Sequence, residues 1–85
     1  MYPILVSALA RRDLRKLPDS IQNLILAKVE ELAKEPRARN VNVTRLKGSS
    51  LFRLRIGDYR VIYEVDHLSP AMTLVRIGHR RDVYE

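Results

Sequence analysis

FRLRIGDYR, residues 52–60, decides the fold. Phe52, Leu54 and Ile56 alternate with Arg53 and Arg55, the period of a strand with one buried face. Gly57-Asp58 interrupts the alternation with a two-residue turn signal. It then resumes, with Tyr59, Val61, Tyr63 and Val65 set against Arg60, Ile62 and Glu64. A two-residue turn pairs Ile56 with Tyr59 and Arg55 with Arg60. Like charges directly opposite each other weaken a hairpin, so the pair of arginines calls for a counter-charge.

The elements on either side follow from the same reasoning. Tyr2 to Val6 is short, apolar and β-branched, which predicts a first strand. Ser7 is placed to cap a helix in which Ala10, Leu14 and Leu17 recur on one face, ended by Pro18. Asp19 with Gln22 resembles a capping box. The second helix carries Ile21, Leu24, Ile25, Val29 and Leu32 on one face and stops before Pro36. Residues 37–50 are polar and irregular, with an extended piece near Val41 to Leu46. Beyond the hairpin, Asp66 to Pro70 is a turn, Met72 to Ile77 a last strand, and GHRRDVYE closes the chain. The expected fold is α/β (α+β): an N-terminal strand, a two-helix hairpin, then a three- to four-stranded antiparallel meander with both helices on one sheet face.

Eighty-five residues support one domain, read as residues 1–85. The net charge is +6, and the excess is even: residues 1–44 and 45–85 each hold 8 Lys/Arg against 5 Asp/Glu. A basic folded domain points to nucleic acid or an acidic protein, though Arg11, Arg12, Arg15 and Lys16 also read as a solvated helix face. With no cysteine there is no disulfide, thiolate metal site or Cys nucleophile, in keeping with a cytoplasmic protein. The charges of MYPILVSALARR follow its apolar run, the wrong order for a signal peptide, and no stretch is long enough to span a membrane. His67 and His79 lack metal-ligand spacing, and there is no Gly-rich phosphate loop or Ser-His-Asp context. No metal or cofactor is expected.

The pleat gathers the arginines. Arg53 and Arg55 share a face, and Arg60 opposite Arg55 shares it too. Three guanidiniums on one patch suit an anion, since their planar forks bind phosphate oxygens in pairs. The competing reading pairs them with Glu64, Asp58 and Asp66. At the chain end, His79 is suited to proton transfer and Tyr84 to base stacking or to supplying a hydroxyl. Taken singly, each also reads as an ordinary surface residue.

The stretches SALARRDLRKLP (7–18), KEPR (34–37), LKGSSLFRLRIGDYRVIYEVD (46–66) and RIGHRRDVYE (76–85) together resemble the RelE/ParE toxin superfamily, most of all its RelE-like branch. The resemblance covers nearly the whole chain. It implies a small, basic, metal-independent endoribonuclease of a type II toxin–antitoxin system. Such an mRNA interferase enters the ribosomal decoding site and cuts the messenger by 2′-hydroxyl attack on the scissile phosphate. A cognate antitoxin neutralises it, and operator DNA is met only through the antitoxin complex. Residue by residue, Arg60 matches the phosphate-binding arginine, Arg80 a second functional arginine and Tyr84 the C-terminal tyrosine. Arg53 and Arg55 fall where relatives carry basic strand residues, often lysines. Arg81 and Lys47, within the quoted stretches, are further RNA-contact candidates.

Arginine at the lysine positions is a departure. A crowded lysine can lose its proton, whereas an arginine cannot. His79, with Tyr84 behind it, is then the expected base. Two other readings stand beside this one: a ParE-like toxin directed at DNA gyrase, and a degenerate toxin that only binds its antitoxin.

Overall fold

The structure, a computed structural model, describes residues 1–83. Along the chain run β1 (Ile4–Val6), α1 (Ala8–Arg15), α2 (Asp19–Lys34), β2 (Val43–Arg45), β3 (Phe52–Ile56), β4 (Tyr59–Asp66) and β5 (Ala71–His79). The five strands form one sheet in the order β1-β5-β4-β3-β2. β2 to β5 are antiparallel, and β1 lies parallel to β5. The expected meander is thus present as four strands, with the N-terminal strand beside its last member.

The hairpin takes the register that the turn dictates, with Ile56 opposite Tyr59 and Arg55 opposite Arg60. Gly57 has φ 58° while Asp58 is not left-handed. Positive φ at the first turn position only is the type II′ pattern, which matches strand twist and requires glycine there. Phe52 faces Tyr63 across the ladder, their rings stacked with centroids 5.5 Å apart. A one-residue slip would break that pair and turn the apolar face outward.

Both helices cover the apolar face. Ala10 of α1 and Ile25, Val29, Leu32 and Ala33 of α2 meet Leu54, Ile56, Val61, Tyr63, Met72, Leu74 and Ile77 in one core. Leu24, expected on the buried face of α2, is 43% exposed. Ala33, one turn C-terminal to Val29, is fully buried instead.

The caps divide into one expected and one not. The Ser7 hydroxyl accepts from the Ala10 amide at 3.0 Å, as the sequence suggests. The Asp19–Gln22 capping box does not form. Pro18 occupies the N-cap position, and its carbonyl accepts from Ile21 and Gln22 at 3.0 Å each. That shift makes Asp19 the first helical residue, where its charge suits the helix dipole. The Gln22 amide donates back to Leu17 O at 2.8 Å.

The β5 edge is sealed piece by piece. β1 pairs with it only as far as Val6–Leu74. Ser7 continues the seal, its amide donating to Leu74 O and its hydroxyl to Val75 O. Val75 is the extra residue of a bulge, since Ile62 faces Arg76 while Tyr63 faces Leu74. Beyond it, Asp13 Oδ2 accepts the Ile77 amide at 2.9 Å and Arg76 Nε at 2.8 Å, and Asp13 Oδ1 accepts Arg76 Nη2 at 3.2 Å. The Leu74 and Val75 carbonyls and the Ile77 amide, which the edge would otherwise offer to another strand, are thus each paired.

Candidate functional site

Alternation sends Arg53, Arg55 and Arg60 to the sheet face away from the helices. Arg60 is half-buried, and its Nη1 donates to Gly57 O at 2.8 Å and Tyr59 O at 2.9 Å. Those two carbonyls fix its guanidinium at the hairpin turn. Partial burial, then repulsion from Arg53, Arg55 and Arg80, pulls the Arg60 guanidinium below the usual arginine range, against a smaller opposing pull from Asp58. Arginine stays charged through such a shift. Arg60 therefore sits in the field of three other cations, a repulsion that a bound anion would offset.

Arg55 is aimed by Asn42. Its Nη2 donates to Asn42 Oδ1 at 3.3 Å, and its amide donates to Asn42 O at 2.8 Å. Asn42 is held in turn, its amide donating to Asn40 Oδ1 at 2.8 Å. This aiming residue lies in a segment that sequence reading leaves as irregular. The visible signal is the pair of asparagines in RNVNV, residues 39–43, a side chain suited to local backbone turns.

Arg80 joins from the end of β5. Its amide donates to Asp58 O at 2.7 Å, and its Nε lies 3.9 Å from Asp58 Oδ1. Both side chains are more than half exposed, so that ion pair is weak. The other two carboxylates offered as partners also take hydrogen bonds from their own surroundings. Glu64 accepts from Ser50 Oγ at 2.9 Å, and Asp66 accepts the amides of Leu68 and Ser69.

Two hollows adjoin the cluster. One, of about 220 Å³, lies among Val41, Asn42, Thr44, Arg53, Arg55 and Arg60. It is below the ~300–1,000 Å³ of common small-molecule sites, which suits a single anionic group. The other, of about 870 Å³, runs between α2 and the hairpin, past Leu24, Lys28, Arg39, Arg55 and Arg80.

The remaining candidates fall in other places. His79 stands opposite Tyr59, and their rings meet edge to face with centroids 5.8 Å apart. Opposed residues share a face, so this imidazole is on the helix-covered side of the sheet, across from Arg60. Its Nδ1 accepts the Arg81 amide at 3.3 Å, and the Arg81 side chain is exposed. Lys47 lies in the β2–β3 turn, at the opposite end of β3 from the Arg60 turn. Tyr84 lies outside the described residues. Among the described residues, no group of three or more His, Cys, Asp or Glu could hold a metal ion. Nor, among the described residues, is any helix long and apolar enough to cross a membrane.

The arginine face is less open than its strand pattern implies. Ile62, on that face by alternation, is 3% exposed yet stands apart from the core cluster. Gly78, opposite Arg60, is closely approached: a Cβ there would lie 2.7 Å from Val83 Cγ2, so that side chain would have to shift. The chain turns after β5, with the Asp82 amide donating to His79 O at 2.8 Å, and brings Val83 back onto the strand.

Comparison with known proteins agrees with this architecture. The family model described as the ParE toxin of the type II toxin–antitoxin system parDE matches residues 4–84. Toxin RelG of Mycobacterium tuberculosis is 34% identical over 87 residues, covering 98% of this chain and 95% of RelG. A chain in the RelBE2 toxin–antitoxin complex of the same organism superposes with TM-score 0.78 at 29% identity, over 93% of this chain and 98% of that one. A chain in the archaeal RelE–RelB complex from Pyrococcus horikoshii OT3 gives TM-score 0.79 at 28% identity, over 96% and 98%. Two helices on a five-stranded mixed sheet are thus the RelE toxin fold, and the chain belongs to the ParE toxin family of type II toxin–antitoxin systems, within the RelE/ParE superfamily.

Proposed function

We propose that this chain is a metal-independent endoribonuclease that cuts messenger RNA on the translating ribosome. The observation that carries the reading is the crowding of Arg53, Arg55 and Arg80 around the half-buried Arg60. In the proposed reaction the 2′-oxygen attacks the adjacent phosphorus, the P–O5′ bond breaks, and a 2′,3′-cyclic phosphate and a 5′-hydroxyl form. The guanidiniums grip the non-bridging oxygens and stabilise the charge that builds on them. Being permanently charged, they cannot take the 2′ proton. That transfer, and the delivery of a proton to the departing 5′-oxygen, fall to Tyr84 or His79, and the position of the His79 ring beside Tyr59 favours Tyr84. The ribosome aligns the messenger in the decoding site, which by itself is worth several kcal/mol, of the ~7–11 that orientation can supply. The setting is cytoplasmic.

An antitoxin is the natural inhibitor. The solved relatives occur in complexes with RelB-type partners, and an acidic segment would cover the arginine face of this +6 chain. Operator DNA would be met only through that complex.

Primer extension on a reporter messenger in a translating extract tests the reading. Cuts inside codons that vanish when translation is blocked are expected. Arg60→Ala and Arg80→Ala proteins with unchanged melting curves are expected to cut ~10²–10³-fold more slowly, the usual effect of removing one donor to a developing anion. Cleavage at the parent rate would sink it. The matched family model is that of ParE toxins, which favours a second reading in which the target is DNA gyrase. Gyrase-dependent DNA breakage without messenger cleavage would establish that one. Neither effect, with normal growth on overexpression, would mark a toxin that only binds its antitoxin.

A further inference from the structure

The segment after β5 is more than a connection. Arg80 is tied to the hairpin turn through its backbone, its amide donating to Asp58 O at 2.7 Å. The turn that follows is closed by the Asp82 amide on His79 O. Val83 then returns to the sheet and meets the one position of β5 without a side chain. That position, Gly78, faces Arg60 across the ladder. Its φ is not in the left-handed region, so backbone freedom does not call for glycine here. Space does: any Cβ would fall 2.7 Å from Val83 Cγ2, closer than carbon atoms approach without something moving. Ile62, on the same face and flanked across the ladders by Arg53 and Arg76, is buried outside the main core.

We infer that Gly78 and Val83 form a latch that seats the terminal segment on the arginine face, making Val83 a positioning residue for Arg80 and Arg81. The latch works by shape. A glycine opens a notch in a strand, and an apolar side chain five residues later fills it. The chain between is then held as a tight loop with Arg80 at its near end, beside Arg60. Without the notch or without the valine, Arg80 keeps its charge but loses its place. The inference rests on the nuclease reading for its catalytic consequence, whereas the latch itself is a statement about local order.

A double-mutant cycle with two readouts tests it. In Gly78→Ala the new methyl displaces Val83. In Val83→Ala the notch is left empty. Each is expected to lower kcat for messenger cleavage by roughly 10–100-fold, the effect of about 1 Å of misplacement, with KM and melting temperature little changed because the contact is outside the main core. The combined Gly78→Ala/Val83→Ala protein gains one methyl and loses two across the contact, a nearer approach to conserved volume than either single change. It is expected to recover part of the Gly78→Ala loss instead of adding to it. Hydrogen exchange across residues 79–83 is expected to quicken in both single variants and to slow again in the double variant.

Unchanged exchange in Val83→Ala overturns the latch. Quickened exchange with unchanged kcat overturns the positioning role. If the parent protein cuts nothing while exchange follows the cycle, the latch stands and the nuclease reading falls.

Discussion

Replacing Asp13 by alanine removes a carboxylate that serves two ends of the chain at once. Asp13 is 13% exposed and takes three hydrogen bonds, two from the Arg76 fork and one from the Ile77 amide. The amide bond is the costly one to lose. Beyond the end of β1 the Ile77 N–H has no strand beside it, and an unpaired, part-buried donor costs about 1–3 kcal/mol. The Arg76 side chain is 46% exposed, so solvent screens its share to the ~0–1 kcal/mol of a surface pair. Asp13→Ala is therefore expected to lose about 2.5 kcal/mol in urea unfolding, the sum of the mid-values of those two ranges. At ~4–8 °C per kcal/mol for a domain of this size, the melting temperature falls by roughly 10–20 °C.

The pH dependence adds a check that a cavity alone would not pass. Burial by itself would raise the Asp13 carboxyl, but the Arg76 and Ile77 hydrogen bonds and the Arg76 and Lys16 charges together outweigh it and hold the group below the ordinary carboxylate range. A depressed folded pKa means that the stabilisation is fully present above the unfolded value of about 3.9 and drains away as pH falls through the folded value. The gap between the parent and Asp13→Ala should thus be widest near neutrality and should narrow in acid as pH falls below about 4. A gap under about 0.5 kcal/mol at neutral pH, within the range of ordinary surface substitutions, would refute the reasoning. A gap that persists unchanged into acid would refute its electrostatic part.

Three further outcomes are expected. Gly57→Ala meets nothing within 4 Å, so its whole cost is the left-handed backbone at φ 58°, about 1–2 kcal/mol in urea unfolding; a neutral result would mean the turn changes type without cost. Arg55→Ala should reduce the salt dependence of RNA binding by about one unit of slope. Asn42→Ala removes only the side-chain acceptor that aims Arg55, so it should weaken binding with the slope kept; an equal slope change for both would deny the aiming role. The Tyr63 phenol is pushed up to about 12 by burial. It ionises more readily unfolded, so stability should fall as pH rises from about 10, the unfolded value. An ultraviolet phenolate titration should show one of the four tyrosines lagging the rest, and Tyr63→Phe should abolish that lag.

Features that act over a few residues were legible from the chain alone. The alternation from Phe52 to Val65 and the Gly57-Asp58 turn name a hairpin, its register and the face that carries Arg53, Arg55 and Arg60. Ser7 and the residues before Pro36 mark helix ends. All these signals are local, because periodicity and turn geometry are set by neighbours along the chain. Even there the Asp19–Gln22 pattern misleads, since a proline one residue earlier takes the cap.

The rest depends on the meeting of segments that are far apart in sequence. Asp13 finds Arg76 and Ile77 because β1 lies parallel to β5 and then stops short, a pairing that no local pattern encodes. Asn42 aims Arg55 because β2 docks on β3. His79 shows its reactive type in the sequence, but the pairing with Tyr59 turns it to the helix-covered face. Gly78 reads as an ordinary strand glycine until Val83 folds back onto it. A residue's chemistry is written in its side chain. Its neighbours across space are fixed only when the hydrophobic face closes over the core and forces the strands into one register.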